Sequence, residues 1–234
     1  MSNPVFVLLH GAWHTARSWD KLVSELTIYG SSPPTPDWSA DVELIHRIVS
    51  ELVEEGRDVV IVMHSFSGMT GGTALDKLDK PLRMAKILSG GVVRLVYIVA
   101  FLVLEGLQHS PRGTRDNMVG IITFLPEDVK EMLYQDMDDQ TVAELAKDLQ
   151  PQSFAAFWST TTHATWRHIP TTYVLCLKNK PNTMMAAQYL VDSTKASGPH
   201  KIDNLIKVNA GHSPFISRPE WTANMLIDEA KRSV

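Results

Sequence analysis

The run from Asp58 to Gly72, DVVIVMHSFSGMTGG, constrains the fold more than any other stretch of this chain. Val59 to Val62 are four apolar, β-prone residues without polar alternation, the pattern of a short strand covered on both faces and hence of a parallel sheet. After Met63-His64, Ser65, Ser67 and Gly68 permit a sharp turn into a helix. Such a turn lifts Ser65 above the sheet edge and sets the amide of Phe66 at a helix N-terminus, where negative charge is stabilised. This is a setting for a nucleophile. The match to a G-x-S-x-G turn is incomplete, because Met63 and Ser67 occupy its two small positions. A serine that only caps a helix is the competing reading.

Further strands are expected at Val5–Leu9, Val92–Phe101, Tyr173–Leu177 and Ile206–Asn209. Helices are expected from Trp19 to a stop at Gly30, from a Ser39 cap through Leu52 to Gly56, over all or part of Ala74–Leu88, over Pro181–Ser193 and over Trp221–Lys231, the last opened by a Ser217/Glu220 capping box. Ser31-Ser-Pro-Pro-Thr-Pro-Asp37 reads as loop. Strands alternating with helices give an α/β class with a mostly parallel sheet. The alternation stops between Gly106 and His168. There, Pro126–Met137, Thr141–Leu149 and Ser153–Ser159 read as short amphipathic helices. Residues 1–106 and 169–234 then form the core and 107–168 a helical cap, whose Phe124, Phe157, Trp158 and Trp166 would join Trp13 and His14 around an apolar pocket. A peripheral excursion without ligand contact is the alternative.

Composition narrows the partners. A net charge of −4 over 234 residues gives no basic surface for nucleic acid or anionic membranes, and a small neutral or apolar molecule fits better. The apolar run Val5–Leu9 is too short to span a membrane and lacks the flanks of a leader. The single cysteine, Cys176, forms no internal disulfide, reads as a buried small hydrophobe and agrees with a cytoplasmic setting.

A serine nucleophile needs a base, a group to orient that base and donors for an oxyanion. His212 lies in the loop after the last strand, and parallel strand ends share one edge, so it can meet Ser65. The amides of Ala12 and Phe66 are the candidate oxyanion donors. His10, His14 and His64 would surround the same pocket. A metal site is the rival explanation of so many imidazoles, but no H-E-x-x-H motif or carboxylate cluster accompanies them. Neither metal nor cofactor is expected. The orienting acid should follow the Tyr173 strand, where Lys178-Asn179-Lys180 offers no carboxylate. Asn179 can accept a hydrogen bond from the imidazole without stabilising an imidazolium as an anion does. Asparagine in that role typically costs about 10⁴ in turnover through the wrong tautomer. Glu105 is the fallback acid.

His10-Gly-Ala-Trp-His14 with Trp19, Asp41-Val42 with Glu55-Gly-Arg-Asp58, Met63-His-Ser-Phe66, Leu104-Glu-Gly106, Ile169-Pro170 with Thr172-Tyr173, and Ala210-Gly-His-Ser-Pro-Phe215 with Arg218-Pro219 span nearly the whole chain. Together they resemble the α/β-hydrolase superfamily, in particular the small cytosolic branch of plant methyl esterases and hydroxynitrile lyases with fungal and bacterial relatives. The resemblance implies Ser65 as nucleophile, His212 as base, Ala12 and Phe66 as oxyanion amides, and Asn179 where the family has aspartate. It also implies a strand near residue 30 that this sequence lacks. That would leave about five parallel strands, with the first one an open edge suited to pairing in a homodimer. The expected activity is serine hydrolysis of a small apolar ester or lactone. The alternatives are an impaired hydrolase that binds a ligand or partner, and a lyase. The lyases of this branch pair a threonine and a lysine where this chain has Gly11 and Ser213.

Overall fold

The apolar runs become strands β1 (Val5–Leu9), β2 (Asp58–His64) and β3 (Gly91–Ile98), a two-residue pair β4 (Ile121–Ile122) and β5 (Gln152–Ser153), then β6 (Thr171–Cys176) and β7 (Ile202–Val208). Five of them form one parallel sheet in the order β1-β2-β3-β6-β7, while β4 and β5 pair antiparallel apart from it. The computed structural model describes residues 4–22, 37–108 and 120–233. The helices are α1 (Ser39–Glu54), α2 (Ser67–Ala74), α3 (Lys80–Ala85), α4 (Val129–Leu133), α5 (Asp139–Ala146), α6 (Met184–Ala196), α7 (Pro214–Ser217) and α8 (Pro219–Lys231).

Continuous apolar strands make sense because both faces of the sheet are covered. Val60, Val62, Val96, Ile98, Val174 and Val208 point to one core with Phe215 and Leu226. Their neighbours Val59, Ile61, Leu95, Tyr97, Tyr173 and Leu175 point to the other, with Val49, Val53 and Val191. Side chains alternate across a strand, so one run feeds two cores. β1 pairs only with β2 among the described residues and is half-buried along its length. The strand expected to be missing near residue 30, and the helix expected to continue past Leu22, fall on residues 23–36, outside the described residues.

Several expected boundaries move. Ser39 is the first residue of α1 and makes no cap: Asp37 Oδ1 accepts its amide at 2.8 Å. Gly56 ends that helix at φ +79°, as expected. The stretch over 74–88, expected to be helical or partly so, is helical in its middle: Ala74 is the last residue of α2, and Asp79 accepts the Leu82 amide and starts α3 at Lys80. The capping box at Ser217 does not form, since α8 begins after Arg218 and the Ser217 hydroxyl donates to Asp136 at 2.9 Å. Between β3 and β6, Val129 and Leu133 of α4 and Val142 of α5 bury against the core that also holds Phe215 and Ile216. No helix among the described residues is long and apolar enough to cross a membrane.

The first residues of the strands are tied by charge. Arg94 of β3, 2% exposed, reaches both oxygens of Asp203 at 2.9 and 3.1 Å, Ser233 Oγ at 2.8 Å and Thr172 Oγ1 at 3.0 Å. It also lies 3.2 Å from Glu229 of α8, whose second oxygen accepts from Asn204 at 2.6 Å. Every member has a partner, the condition under which buried charge is tolerated.

Candidate active site

The last residues of the same strands carry the candidate chemistry. Ser65 stands between β2 and α2 at φ +54°, a left-handed conformation uncommon for a residue with a Cβ. Its carbonyl accepts from the amides of Gly68 and Phe101, which ties the turn to the chain after β3. The two departures from the small-residue pattern are both accommodated. Met63 is fully buried, and Gly71 makes room for it: a Cβ there would lie 2.6 Å from the Met63 sulfur. Ser67 accepts the His64 amide at 2.9 Å and lies 2.9 Å from Leu9 O, so its hydroxyl links the ends of β1 and β2. The glycine that the elbow cannot do without is Gly68, where a Cβ would stand 2.4 Å from Phe101 O.

His212 comes from the loop between β7 and α7, and Asn179 from the loop after β6. The His212 Nδ1 to Asn179 Oδ1 distance is 2.9 Å, and the Asn179 NH₂ donates to Asn182 O at 2.6 Å. The second contact decides the first. A reversed amide would set two oxygens against each other at Asn182, so the Asn179 oxygen must face the imidazole. His212 therefore carries its proton on Nδ1 and keeps a lone pair on Nε2, the tautomer a general base requires. Ser65 Oγ makes no hydrogen bond to His212 among the described residues. Both adjoin His64, Ser65 in sequence and His212 through a ring-centroid distance of 4.6 Å.

The imidazoles are buried together. His64 Nε2 donates to His212 O at 3.0 Å, and its Nδ1 is buried without a partner. His14 Nδ1 donates to Ala12 O at 3.1 Å, which leaves Nε2 to accept from the Tyr134 hydroxyl at 3.3 Å. Among the described residues no carboxylate accepts a hydrogen bond from these rings or from His10, whose Nδ1 faces Gly11 O. Burial, helped by the His14 charge, brings the His212 pKa down to about 3. Burial and the nearby His10 bring His14 down to about 4, and His64 lies well below the usual histidine value for the same leading reason. All three are neutral at pH 7.

Glu105 is placed elsewhere. It pairs with Arg167, which donates to its two carboxylate oxygens at 3.1 and 3.3 Å, and it is not brought to His212. The Arg167 hydrogen bonds and charge hold its pKa down against the opposing effect of burial. Trp166 also leaves the expected pocket, because it is buried in the opposite core and donates to Val103 O at 2.9 Å. Cys176 is buried at the end of β6, where burial and then the Asp136 charge push its thiol pKa up, as suits a packing residue.

A family model described as the alpha/beta hydrolase family matches residues 6–225. The chain belongs to the alpha/beta hydrolase family. Among curated members, alpha/beta hydrolase nvfD of Aspergillus novofumigatus is 28% identical, covering all of this chain and 99% of its own. Salicylic acid-binding protein 2 of Nicotiana tabacum is 24% identical over 97% of each. Polyneuridine aldehyde esterase superposes with a TM-score of 0.72 at 16% identity, covering 98% of this chain and all of that one. Methylesterase MES16 from Arabidopsis gives 0.70 at 20%, covering 97% and 98%. At such identities these two structures speak for the fold alone.

In this alpha/beta hydrolase the first-strand loop turns through Trp13 at φ +64°, and His14 N bonds back to Gly11 O. Gly11 is needed for space, since a Cβ would lie 2.9 Å from both His64 Nδ1 and Ser65 Cβ. Among the described residues neither the Ala12 nor the Phe66 amide is taken by a protein acceptor. Trp13 packs on Phe124 and Phe157 with ring centroids 4.4 and 5.9 Å apart, and Phe157 on Phe66 at 4.7 Å. An apolar cavity of about 540 Å³ leads from Ala12, Trp13, His14 and Phe66 along β1 and past Leu44, Ile45 and Ile48 of α1. Trp158 lines a separate cavity with Trp38 and Ser159. Sequence reasoning missed Phe66 as an aromatic wall, Asn182 as the amide anchor, and Gln135 and Asp136 beside His212. A backbone carbonyl leaves no mark on the residue that carries it.

Proposed function

We propose that the chain is a serine hydrolase cleaving a small apolar carboxylic ester or lactone through an acyl-enzyme. Ser65 Oγ attacks the acyl carbon while its proton passes to His212 Nε2, and the Ala12 and Phe66 amides receive the oxyanion. The carbon–oxygen bond to the leaving group breaks, and His212 returns the proton to that oxygen. Water then repeats the sequence and frees Ser65 as the carboxylic acid departs. No step uses a cofactor. Residues 107–168 act as the cap over a core of 1–106 and 169–234, with Trp13, Phe124 and Phe157 favouring an apolar acyl or alcohol group.

The observation that carries the reading is the Asn179 amide, held by Asn182 so that its oxygen fixes His212 in the working tautomer. It removes the main objection to asparagine at this position, the wrong tautomer. The hydrolase name of the Aspergillus relative agrees with it.

The same site favours a second reading, a ligand-binding protein of low activity, because among the described residues no carboxylate hydrogen-bonds the His212 ring that must become imidazolium in each step. A fluorophosphonate probe separates the two. Labelling at Ser65, mapped by peptide mass and lost in Ser65→Ala, is expected for the hydrolase. A folded sample that stays unlabelled beside a labelled control hydrolase would leave only the binding role.

A further inference from the structure

Three consecutive residues after α4 reach three separate parts of the site. Tyr134 donates its hydroxyl to His14 Nε2 at 3.3 Å, and His14 in turn holds Ala12 O in the first-strand loop. Gln135 Oε1 accepts the backbone amide of His212 at 2.6 Å. Asp136 Oδ2 accepts from Ser217 at the end of α7, and its Oδ1 is buried without a partner. The His212 loop is shaped to receive this tripeptide: a Cβ on Gly211 would stand 2.6 Å from both Gln135 Oε1 and Asp136 Oδ1. Gly211 is not among the glycines at positive φ, so it is there for space and not for conformation. The same inserted segment also grips Trp13, through Gln150 N to Trp13 O at 2.8 Å and Trp13 Nε1 to Ile122 O at 2.9 Å.

We propose that Tyr134-Gln135-Asp136 is a positioning clamp that sets the first-strand loop and the His212 loop relative to each other, so that seating the inserted segment assembles the site. The residues touch no reacting atom. They act through His14, the His212 backbone and Ser217. Trp13 in its left-handed conformation has a cost to meet, and contacts from the insertion over-determine that turn. The clamp deepens the hydrolase reading and rests on it for its effect on turnover. Its structural content stands apart from that reading and can be tested separately.

Two measurements on the full chain decide it. Amide hydrogen exchange compares wild type with Gln135→Ala. Loss of the acceptor is expected to speed exchange at His212 and also at His14, whose amide donates to Gly11 O, by about tenfold for a lost hydrogen bond. Faster exchange at His212 alone, or at neither, overturns the clamp whether or not the protein is active. For activity, Gln135→Ala is expected to lower kcat on an aryl ester about tenfold with KM little changed. Gly211→Ala should lower kcat in wild type, yet cost little more in Gln135→Ala/Asp136→Ala, where the side chains it meets are gone. Equal cost in both backgrounds overturns the inference. Absence of any ester turnover or Ser65 labelling in wild type would strike the hydrolase reading and leave the exchange result to judge the clamp.

Discussion

The two ends of the sheet bury polar groups by opposite rules. At the strand starts, Arg94 lies among Asp203, Glu229, Thr172 and Ser233, so charge meets charge and every donor has an acceptor. At the strand ends, His14, His64 and His212 are buried with amides, carbonyls and a phenol, and the imidazoles are kept neutral. The first arrangement spends its charges on fixing α8 to β3, β6 and β7. The second leaves a lone pair free on His212 and orphan groups on His64 Nδ1 and Ser213 Oγ. Unsatisfied polar atoms and a strained serine around the histidines, against a fully partnered Arg94 cluster, are the contrast expected if the proposed chemistry sits at the strand ends and the Arg94 cluster serves stability.

The largest effect should come from Ser65→Ala, which is expected to lower ester turnover by about 10⁵–10⁶ with the denaturation midpoint unchanged. A thermal melt and an ester assay on the same sample check both halves. Asn179→Ala should follow, with a loss of about 10²–10⁴ as His212 loses its tautomer restraint. Asn179→Asp sharpens the contrast by importing the rule of the far end: an anion beside the imidazole raises the His212 pKa, so the acidic limb of the kcat/KM profile moves to higher pH. At the other end, Glu229→Ala strips Arg94 of a buried partner and should cost about 3–5 kcal/mol in urea unfolding, with Ser65 labelling retained in the folded fraction.

Acid should act on the histidine end. His14 and His212 titrate near 4 and 3 in the folded protein and near 6.5 when unfolded. Between those values the unfolded chain binds protons that the native one refuses. Their contribution is therefore complete above about pH 6.5 and lost as pH falls toward 4 and then 3. Urea midpoints from pH 8 to 4 should drop along this course, and His14→Gln should flatten part of it.

The sheet was readable because Val59–Val62, Leu95–Ile98 and Tyr173–Cys176 lack polar alternation, which only a doubly covered strand permits. That the loops of Ser65, His212 and Asn179 meet on one edge was readable because chain order places them after the ends of parallel strands. Aromatic residues gave less, since spacing along a loop does not say which side of the sheet a ring enters: Phe157 joined Trp13, whereas Trp166 entered the opposite core. Compensations were hidden for a related reason. The pairing of Met63 with Gly71, the diversion of Ser217 to Asp136 and the grip of Asn182 O on Asn179 join residues whose proximity exists only after folding. Glu105 was a plausible acid by position until Arg167 claimed both of its oxygens.

The central claim is that Asn179 holds the buried, neutral His212 protonated at Nδ1. Nitrogen-15 NMR of histidine-labelled protein, with His212 assigned by difference against His212→Gln, reads that state directly across pH. The account predicts a proton on Nδ1, a bare Nε2 and no charging of the ring until pH approaches about 3. A proton on Nε2 at pH 7, or a ring that charges near 6.5, would contradict it.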